Sequence, residues 1–192
     1  MKAVKISYRG KIILTGDPQV GKTSLLSRYC DDKFPDNYNP TVGANFLIKE
    51  VDLTDIISQL DLDNELKREV GKKGFKIYFW DIGGQHDKLF QNEYYFQDAV
   101  GAIIVFDLIN KESFDHLDFW IDKIKSLTGN DVPFIIVGNK TDLSEERKIA
   151  LNTIEEKAEK HGVEYFETSA KKDENVRKAF ESLAIKVLNN LK

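Results

Sequence analysis

The sequence predicts an α/β fold, a mostly parallel sheet covered by helices, and three observations support this prediction. Short apolar segments alternate with amphipathic ones along the chain, which is the pattern of strands connected by helices. Two of the apolar segments, 100–106 and 134–137, are almost uniformly hydrophobic, as strands covered on both faces are. A glycine-bounded loop, Gly16 to Ser24, joins the apolar segment 12–15 to a segment typical of a helix.

Six segments are predicted as strands. The second of them alternates apolar and polar residues, which is typical of a half-exposed strand at the edge of a sheet. In chain order, the predicted strands are 12–15, 45–53, 75–80, 100–106, 134–137 and 164–168.

Helices are predicted from cap residues and from apolar residues at helical spacing, the first of them over 24–29, directly after the glycine-bounded loop. Asn110 is a candidate N-cap, Thr153 with Glu156 forms a candidate capping box, Gly162 is a candidate stop, and Asp173 is a candidate cap for the last helix. The predicted buried residues are Phe114, Leu117, Ile121 and Ile124 after the first cap, and Val176, Phe180, Leu183 and Val187 in the last helix.

The stretch 54–74 follows neither pattern clearly. It is acidic at first and then basic, and five apolar residues within it would line one face of a helix: Ile56, Ile57, Leu60, Leu66 and Val70. A longer hairpin or a loop is equally compatible with this composition.

Composition fits one domain over residues 1–192, with 41% hydrophobic and 31% charged residues. The net charge of −4 argues against a dedicated nucleic-acid binder. A single cysteine, Cys30, excludes an internal disulfide and favours a reducing compartment. No apolar run approaches the ~18 residues of a membrane span. Because neither end carries a recognisable targeting or lipidation signal, we expect a cytoplasmic protein without a direct lipid anchor.

The loop Gly16-Asp17-Pro18-Gln19-Val20-Gly21-Lys22-Thr23-Ser24 has the spacing of a phosphate-binding loop. Its glycines allow a tight turn that points backbone N–H groups at phosphate oxygens, and the helix that follows adds the positive end of its dipole. Lys22 supplies a charge for the terminal phosphates, and the Thr23 hydroxyl is a candidate Mg²⁺ ligand. A chance glycine turn before a lysine is much less favoured, because the pattern lies between strand and helix. The expected nucleotide contacts here are Asp17, Gly21, Lys22, Thr23 and Ser24.

Two further stretches, each directly after a predicted strand, point to guanine as the base. In Asn139-Lys140-Thr141-Asp142, a carboxylate can accept the N1–H and N2–H₂ donors that adenine does not offer, and the stem of Lys140 can lie over the base. In Glu167-Thr168-Ser169-Ala170-Lys171, the backbone N–H of Ala170 can donate to guanine O6. Either stretch alone is compatible with an ordinary turn.

Groups for the terminal phosphate come from two more stretches. In Trp80-Asp81-Ile82-Gly83-Gly84-Gln85, Asp81 can hold Mg²⁺ through water, Gly84 can donate its N–H to the γ-phosphate, and Gln85 can orient the attacking water. A glycine hairpin turn is the alternative. Thr41, in a polar loop, offers a second hydroxyl for Mg²⁺.

With these five motifs in this order, the chain resembles a small GTPase of the Ras superfamily from Gly16 to Lys171. The stretch 41–46 is most similar to the Rab pattern. The stretch 80–85 is closer to Arf, to heterotrimeric Gα and to the septation-network GTPases, and the phosphate loop also resembles the last group. The subfamily stays open, with a prokaryotic or archaeal Ras-like protein among the options.

The resemblance implies a P-loop NTPase fold of the small G-domain type, with six strands, the segment 45–53 antiparallel to the rest, and about five helices. It implies GTP or GDP with Mg²⁺ as ligands, and catalysis by Gln85, Lys22 and Thr41. Phe34 would pack edge-on to guanine and Tyr38 would cover the phosphates. The loops 36–45 and 81–95 would be switches I and II, ordered by GTP and released on hydrolysis.

Three features depart from the family. Pro18 occupies a position that is often glycine or another small residue, which puts the packing around Gln85 and an incoming arginine in question. The insertion 54–74 makes the hairpin between the switches roughly fifteen residues longer than ordinary hairpin loops. Because no cysteine is available for lipidation, we expect any membrane recruitment to depend on a partner.

The expected activity is slow GTP hydrolysis that a partner accelerates, because residues 34–46 contain no arginine to act in cis. The expected partners are an exchange factor, a GTPase-activating protein and effectors, in signalling or trafficking. One rival is a GTP-binding scaffold that does not hydrolyse, with Pro18 as the disabling feature. A second rival is an ATP-dependent phosphotransferase, which the 139–142 turn argues against. The sequence does not indicate an oligomeric state.

Overall fold

A computed structural model of the chain describes residues 8–35, 41, 44–51, 57, 64–73, 75–83, 93–128 and 132–190. Six strands form a sheet in the order β2-β3-β1-β4-β5-β6. They are β1 (Tyr8–Thr15), β2 (Ala44–Val51), β3 (Phe75–Ile82), β4 (Ala99–Asp107), β5 (Phe134–Asn139) and β6 (Tyr165–Thr168). β2 runs antiparallel to β3, and the other pairs are parallel. The predicted α/β fold and its antiparallel edge strand are therefore confirmed.

Six α-helical segments lie in the described residues: α1 (Lys22–Asp31), α2 (Asn64–Lys73), α3 (Lys111–Asp115), α4 (Leu117–Thr128), α5 (Leu151–His161) and α6 (Val176–Asn190). Only His116 separates α3 from α4, and its backbone stays in the right-handed helical region. These two segments therefore act as one helix, and the part of the chain that the structure describes contains five helices. Short 3₁₀ helices span Glu93–Tyr95 and Thr141–Glu146. None of the helices in the described ranges has the length and apolar composition of a membrane span.

Helices cover both faces of the sheet and bury a hydrophobic cluster on each. On one face, α1 and α6 pack on the strands, and Tyr29 stacks on Phe180 with ring centroids 4.3 Å apart. On the other face, α3, α4 and α5 pack on the strands around the fully buried Trp120. β5 is buried along its whole length and β4 at nearly every position, as their uniform apolar sequences predict.

Two of the predicted cap residues are confirmed. The side chain of Asn110 accepts a hydrogen bond from the backbone N–H of Glu112 (3.0 Å), as an N-cap does. Gly162 ends α5 in the left-handed conformation, with φ of 64°, and its N–H donates to the carbonyl of Glu159 (3.0 Å).

The other two predicted caps are wrong. α5 begins directly after Ala150, whose backbone is extended, so Thr153 lies inside the first turn and Glu156 further along the helix. The N-cap position, Ala150, makes no side-chain capping hydrogen bond within the described residues. Asp173 lies in a turn before α6, with φ of 57°, and the helix begins only at Val176. The predicted buried stripe of α6 is nevertheless confirmed.

The stretch 54–74 contains a helix in its described part. This helix, α2, buries Val70 to 3% exposure in the cluster beneath α1 and α6, and Ile57 packs against the same cluster. The exposed face of α2 carries Asn64, Glu65, Arg68 and Gly71. Of the helix, longer hairpin and loop that the composition allows, the structure therefore has an amphipathic helix over residues 64–73.

Candidate functional site

The phosphate-binding loop connects β1 to α1 at the carboxyl edge of the parallel strands, where ligands bind in such sheets. Its two glycines have positive φ, 133° at Gly16 and 95° at Gly21. A Cβ on Gly16 would collide with the carbonyl oxygen of Val105, and one on Gly21 with the side-chain amide nitrogen of Asn139. Both glycines of the motif are therefore required by backbone conformation and by close packing.

Lys22, the first residue of α1, lies across this loop. Its Nζ donates to the backbone carbonyls of Gly16 (2.8 Å) and Asp17 (2.7 Å), and the residue is only 6% exposed. Burial lowers the pKa of Lys22 to about 8, although the nearby carboxylates of Asp81 and Asp17 act to raise it. Burial removes the Lys22 ammonium from water. A phosphate group beside it would supply the counter-charge that the buried ammonium requires.

The carboxylate of Asp17 is bound to the helices on the neighbouring side of the loop. Its Oδ1 accepts a hydrogen bond from Trp120 Nε1 (2.8 Å), and its Oδ2 lies 2.7 Å from Nδ1 of His116. The side chain of Asp17 is 9% exposed. This side chain therefore anchors the phosphate loop to the start of α4, while its backbone remains part of the loop.

Three oxygen-bearing side chains from separate elements meet beside Lys22. Thr23 Oγ1 donates to Asp81 Oδ2 (2.5 Å) and lies 2.9 Å from Thr41 Oγ1. Asp81, near the end of β3, is fully buried. Burial raises the pKa of Asp81, while hydrogen bonds from Thr23 and Thr41 and the charge of Lys22 act to lower it.

The donor set of this cluster fits Mg²⁺. Two hydroxyls and a carboxylate are the oxygen ligands that this cation prefers, commonly with waters completing its coordination. Asp81 Oδ1 is buried and has no hydrogen-bond partner among the described residues. Such an atom is expected to have a ligand in the functional protein. The residues Thr23, Thr41 and Asp81 could thus hold Mg²⁺ next to the phosphates.

At the other end of the cleft, the two predicted base-binding stretches lie side by side because β5 and β6 are adjacent. Ser169 Oγ donates to Asp142 Oδ1 (2.6 Å), which ties the stretches together. The side chain of Asn139 donates from Nδ2 to the carbonyl of Val20 (3.0 Å) in the phosphate loop. Its Oδ1 accepts from the N–H of Ala170 (3.2 Å), the group expected to face guanine O6.

Lys140 has a left-handed backbone, with φ of 74°, and its Nζ pairs with Asp107 Oδ2 (2.6 Å) at the end of β4. Asp107 Oδ1 in turn accepts from the N–H of Ile109 (3.0 Å). The ammonium is thus held by a carboxylate, and the stem is the part of Lys140 available to cover a base.

One cleft of about 450 Å³ joins the phosphate end to the base end. Most of the predicted nucleotide contacts line it: Gly21, Lys22, Thr23, Ser24, Phe34, Thr41, Asn139, Lys140, Asp142, Ala170 and Lys171. Pro18 also lines the cleft and is exposed. Ser169 lies behind Asp142 instead of in the lining. Tyr38, Gly84 and Gln85 lie outside the described residues, as do most of the two predicted switch loops.

Comparison with known protein families matches the model of the Ras family to residues 11–189 of this chain. The chain belongs to the Ras family. This Ras-family chain is 32% identical to Ras-related protein Rab-21 of Bos taurus over 182 residues, which are 95% of this chain and 74% of that protein. It is 35% identical to Rab-3 of Caenorhabditis elegans over 176 residues, 92% of this chain and 73% of that protein. The identity to Rab-13 of Bos taurus is also 35%, over 178 residues, 93% of this chain and 79% of that protein.

These matches confirm the resemblance to a Ras-superfamily small GTPase and favour a Rab-like one. The family places this chain among GTP-binding small GTPases. The site geometry agrees with that placement, since the phosphate loop and the base-binding stretches share one cleft.

A group of aromatic side chains lies on the outer face of β2 and β3 in this Ras-family chain. The ring of Phe46, which is 45% exposed, lies 5.3 Å from Trp80 and 5.9 Å from Tyr78. Lys11 Nζ lies over the Trp80 ring at 4.5 Å and donates to the carbonyl of Gln97 (2.7 Å). We call Phe46, Tyr78 and Trp80 the aromatic patch. Phe46 is the exposed member, whereas Tyr78 and Trp80 are half-buried. Aromatic side chains are enriched at protein–protein interfaces.

Several residues that organise the site have no counterpart among those predicted from the sequence. His116 and Trp120 bond to Asp17 from about a hundred positions away in the chain, so no local pattern points to the contact. The aromatic patch does leave a signal in the sequence, because the aromatic residues Tyr78 and Trp80 at alternate positions of β3 must share one face of the sheet.

Proposed function

We propose that this chain is a guanine-nucleotide switch that binds GTP or GDP with Mg²⁺ and hydrolyses GTP slowly to GDP and phosphate. The main support is the single cleft of about 450 Å³ that has Lys22 and Thr23 at one end and Asp142 at the other. A guanosine polyphosphate is complementary to this arrangement, with anionic phosphates opposite the lysine and N–H donors of the base opposite the carboxylate. Membership of the Ras family agrees with this proposal.

At the phosphate end, Lys22 would exchange part of its bonding to the carbonyls of Gly16 and Asp17 for phosphate oxygens. The N-terminus of α1 adds unpaired N–H groups that favour an anion. Thr23, Thr41 and Asp81 would hold Mg²⁺, whose chemistry is to neutralise the charge of the bound phosphates. In this proposal, Thr41 and Gly84 contact the cation and the γ-phosphate only in the GTP state, so that hydrolysis releases both switch loops.

At the base end, Asp142 is the proposed selector for guanine. Ser169 holds one carboxylate oxygen (2.6 Å), which fixes the orientation of the group before a ligand enters. A fixed carboxylate accepts hydrogen bonds from guanine N1–H and N2–H₂, and adenine offers neither donor at the same place. A site whose buried acceptor requires such donors discriminates strongly against a base that lacks them.

Hydrolysis is assigned to Gln85, which we propose orients the attacking water, with Lys22 and Thr41 holding the γ-phosphate. Since no arginine is present in residues 34–46, we expect slow turnover by the chain alone and acceleration of up to ~10⁵-fold by an arginine from a partner. The test is single-turnover GTP hydrolysis by the wild-type chain and by Gln85→Leu, with GDP affinity as the control. The variant should hydrolyse more slowly and bind GDP unchanged.

The possible outcomes of this test separate the alternatives. An unchanged hydrolysis rate in Gln85→Leu would favour the non-hydrolysing scaffold. Fast hydrolysis by the wild-type chain alone would contradict the need for a partner. Equal competition by ATP and GTP for the cleft would favour the ATP-dependent phosphotransferase, because it would mean that Asp142 does not select the base.

An exchange factor, an activating protein and effectors are the partners that this proposal requires, and they would act in signalling or membrane trafficking. The aromatic patch adjoins the predicted switches, because Phe46 follows the switch I loop and Trp80 precedes Asp81. The exposed ring of Phe46 and the half-buried rings of Tyr78 and Trp80 supply apolar area that an effector would bury. We also propose a cytoplasmic location, with membrane recruitment through such partners.

A further inference from the structure

Arg28 binds both walls of the base end of the cleft, although it does not line the cleft itself. Its Nε donates to the carbonyl of Ala170 (3.0 Å) and its Nη2 to the carbonyl of Lys171 (3.4 Å). Its Nη1 donates to the backbone carbonyl of Asp32 (3.1 Å) and to its carboxylate (3.3 Å). The side chain is 16% exposed. A planar guanidinium can hold these acceptors together because its donors form a rigid fork.

The first wall is the loop that faces the O6 edge of guanine in the proposed complex. Ala170 is held from both sides, since its N–H donates to Asn139 Oδ1 (3.2 Å) and its carbonyl accepts from Arg28. A base oxygen would replace Asn139 Oδ1 as the acceptor of that N–H. The position of the N–H then depends on the carbonyl side of the residue, which Arg28 holds.

The second wall is the turn that leads out of α1. Asp32 caps this helix in the left-handed conformation, with φ of 55°. Phe34, which lines the cleft, follows two residues later. Arg28 therefore holds the turn that directs the chain toward Phe34. Because α1 begins at the phosphate loop, this one side chain connects the phosphate end of the site to both sides of the base end.

We propose that Arg28 is a positioning residue for guanine recognition: it holds the 170–171 loop and the 32–34 turn at the spacing that guanine requires. This inference rests on the proposed guanine-nucleotide function. Lysine at this position would keep the charge but lose the fork, since one ammonium cannot donate in the plane to three backbone carbonyls. The role is therefore one of geometry as well as charge.

The test compares three nucleotides in the wild-type chain, Arg28→Gln and Arg28→Lys. These are GDP, 6-thio-GDP, in which sulfur replaces O6, and IDP, which lacks the N2 amino group. Both variants should bind GDP about tenfold more weakly, equivalent to ~1.4 kcal/mol. The preference for GDP over 6-thio-GDP should shrink, because the N–H of Ala170 is no longer aimed at position 6. The preference for GDP over IDP should persist, because it depends on Asp142.

Lys157→Gln is the matched control. Its side chain is 17% exposed and pairs with Asp118 (2.7 Å), so its loss removes a cation of similar exposure that does not line the cleft. This control should lower the midpoint of thermal unfolding and leave both nucleotide preferences unchanged. If Arg28→Gln does not fold, Arg28→Lys, which retains the charge, provides the measurement.

Failure of the wild-type chain to bind GDP would overturn the proposed function itself. If the wild-type chain binds GDP, two results would overturn the role of Arg28 alone. One is wild-type affinity for all three nucleotides in the Arg28 variants. The other is an equal loss of affinity for all three, since a merely structural role would weaken them together.

Discussion

The hydrogen bond from Trp120 to Asp17 is expected to hold the phosphate loop against α4, and Trp120→Phe tests this contact. The indole Nε1 lies 2.8 Å from Asp17 Oδ1. Phenylalanine keeps an aromatic ring in the core but has no N–H to donate. The variant therefore removes one donor from a carboxylate that is close to the nucleotide cleft.

The cost of this change follows from burial. Trp120 is fully buried and the side chain of Asp17 is 9% exposed, so water has little access to replace the indole N–H. A hydrogen bond to an ionised group contributes ~1.5–3 kcal/mol, and we expect the contact to lie in that range. The smaller ring also leaves a cavity, which adds ~1 kcal/mol or more to the loss in the single variant.

A double-mutant cycle separates the hydrogen bond from the cavity. The free energy of unfolding is measured in urea, by circular dichroism, for the wild type, Asp17→Ala, Trp120→Phe and the double variant. The cavity cost occurs on both sides of the cycle and cancels, so the coupling energy should be ~1.5–3 kcal/mol. Trp120→Phe should also release GDP faster. A coupling energy below ~0.5 kcal/mol would show that this hydrogen bond does not hold the phosphate loop.

Three further predictions concern other parts of the chain. Asp142→Asn should weaken GDP binding about 100-fold or more and favour a xanthosine nucleotide, measured by competition, and an unchanged GDP affinity would contradict the proposed base selection. Burial raises the pKa of Cys30 from 9.0 to about 11, so its alkylation at pH 8 should be about 100-fold slower in the folded chain than in urea, whereas equal rates would show an accessible thiol. Val70→Ala should lower the free energy of unfolding by ~1–3 kcal/mol, because the residue is 3% exposed in the core. Gly71→Ala, on the exposed face of the same helix, should instead raise it by ~0.5–1 kcal/mol, and similar losses in both would show that α2 does not pack as described.

The sheet could be predicted from the sequence because burial on both faces leaves a clear signal. The segments 100–106 and 134–137 are apolar for that reason, and both are strands. The residues at which the strands begin and end could be predicted less well. β1 begins at Tyr8, four residues before the predicted start, because its polar residues Arg9 and Lys11 also pair in register with β3. Such pairing depends on a distant strand and is invisible to a local pattern.

The two wrong helix caps have separate causes. Arg147 donates to the carbonyl of Ile149 (2.6 Å), and Lys148 donates its N–H to the carbonyl of Leu108 (2.9 Å). These contacts fix how the chain enters α5, so the helix begins before the local cap signal at Thr153. Asp173 lies outside the last helix because it belongs to a turn. Two backbone hydrogen bonds between residues 169 and 174 close this turn. A contact with a distant residue, Leu108, thus overrode the first cap signal, and a locally closed turn overrode the second.

The candidate site shows the same division. Its lining could be predicted, because backbone conformation and ligand chemistry restrict the residue types at fixed spacing, as Gly16 and Lys22 illustrate. The residues that support the lining could not be predicted from the sequence. Arg28 reaches a loop that lies 142 positions away in the chain, and Trp120 reaches one 103 positions away. These contacts exist only after the sheet has formed.

The most direct test of the proposed guanine-nucleotide binding is to identify the nucleotide that is released when the purified chain is denatured. We expect GDP or GTP, bound at close to one per chain, together with Mg²⁺. An adenine nucleotide would contradict the assignment of Asp142 as the selector for guanine. A chain that carries no nucleotide and binds neither GDP nor GTP when they are added would contradict the proposed function as a whole.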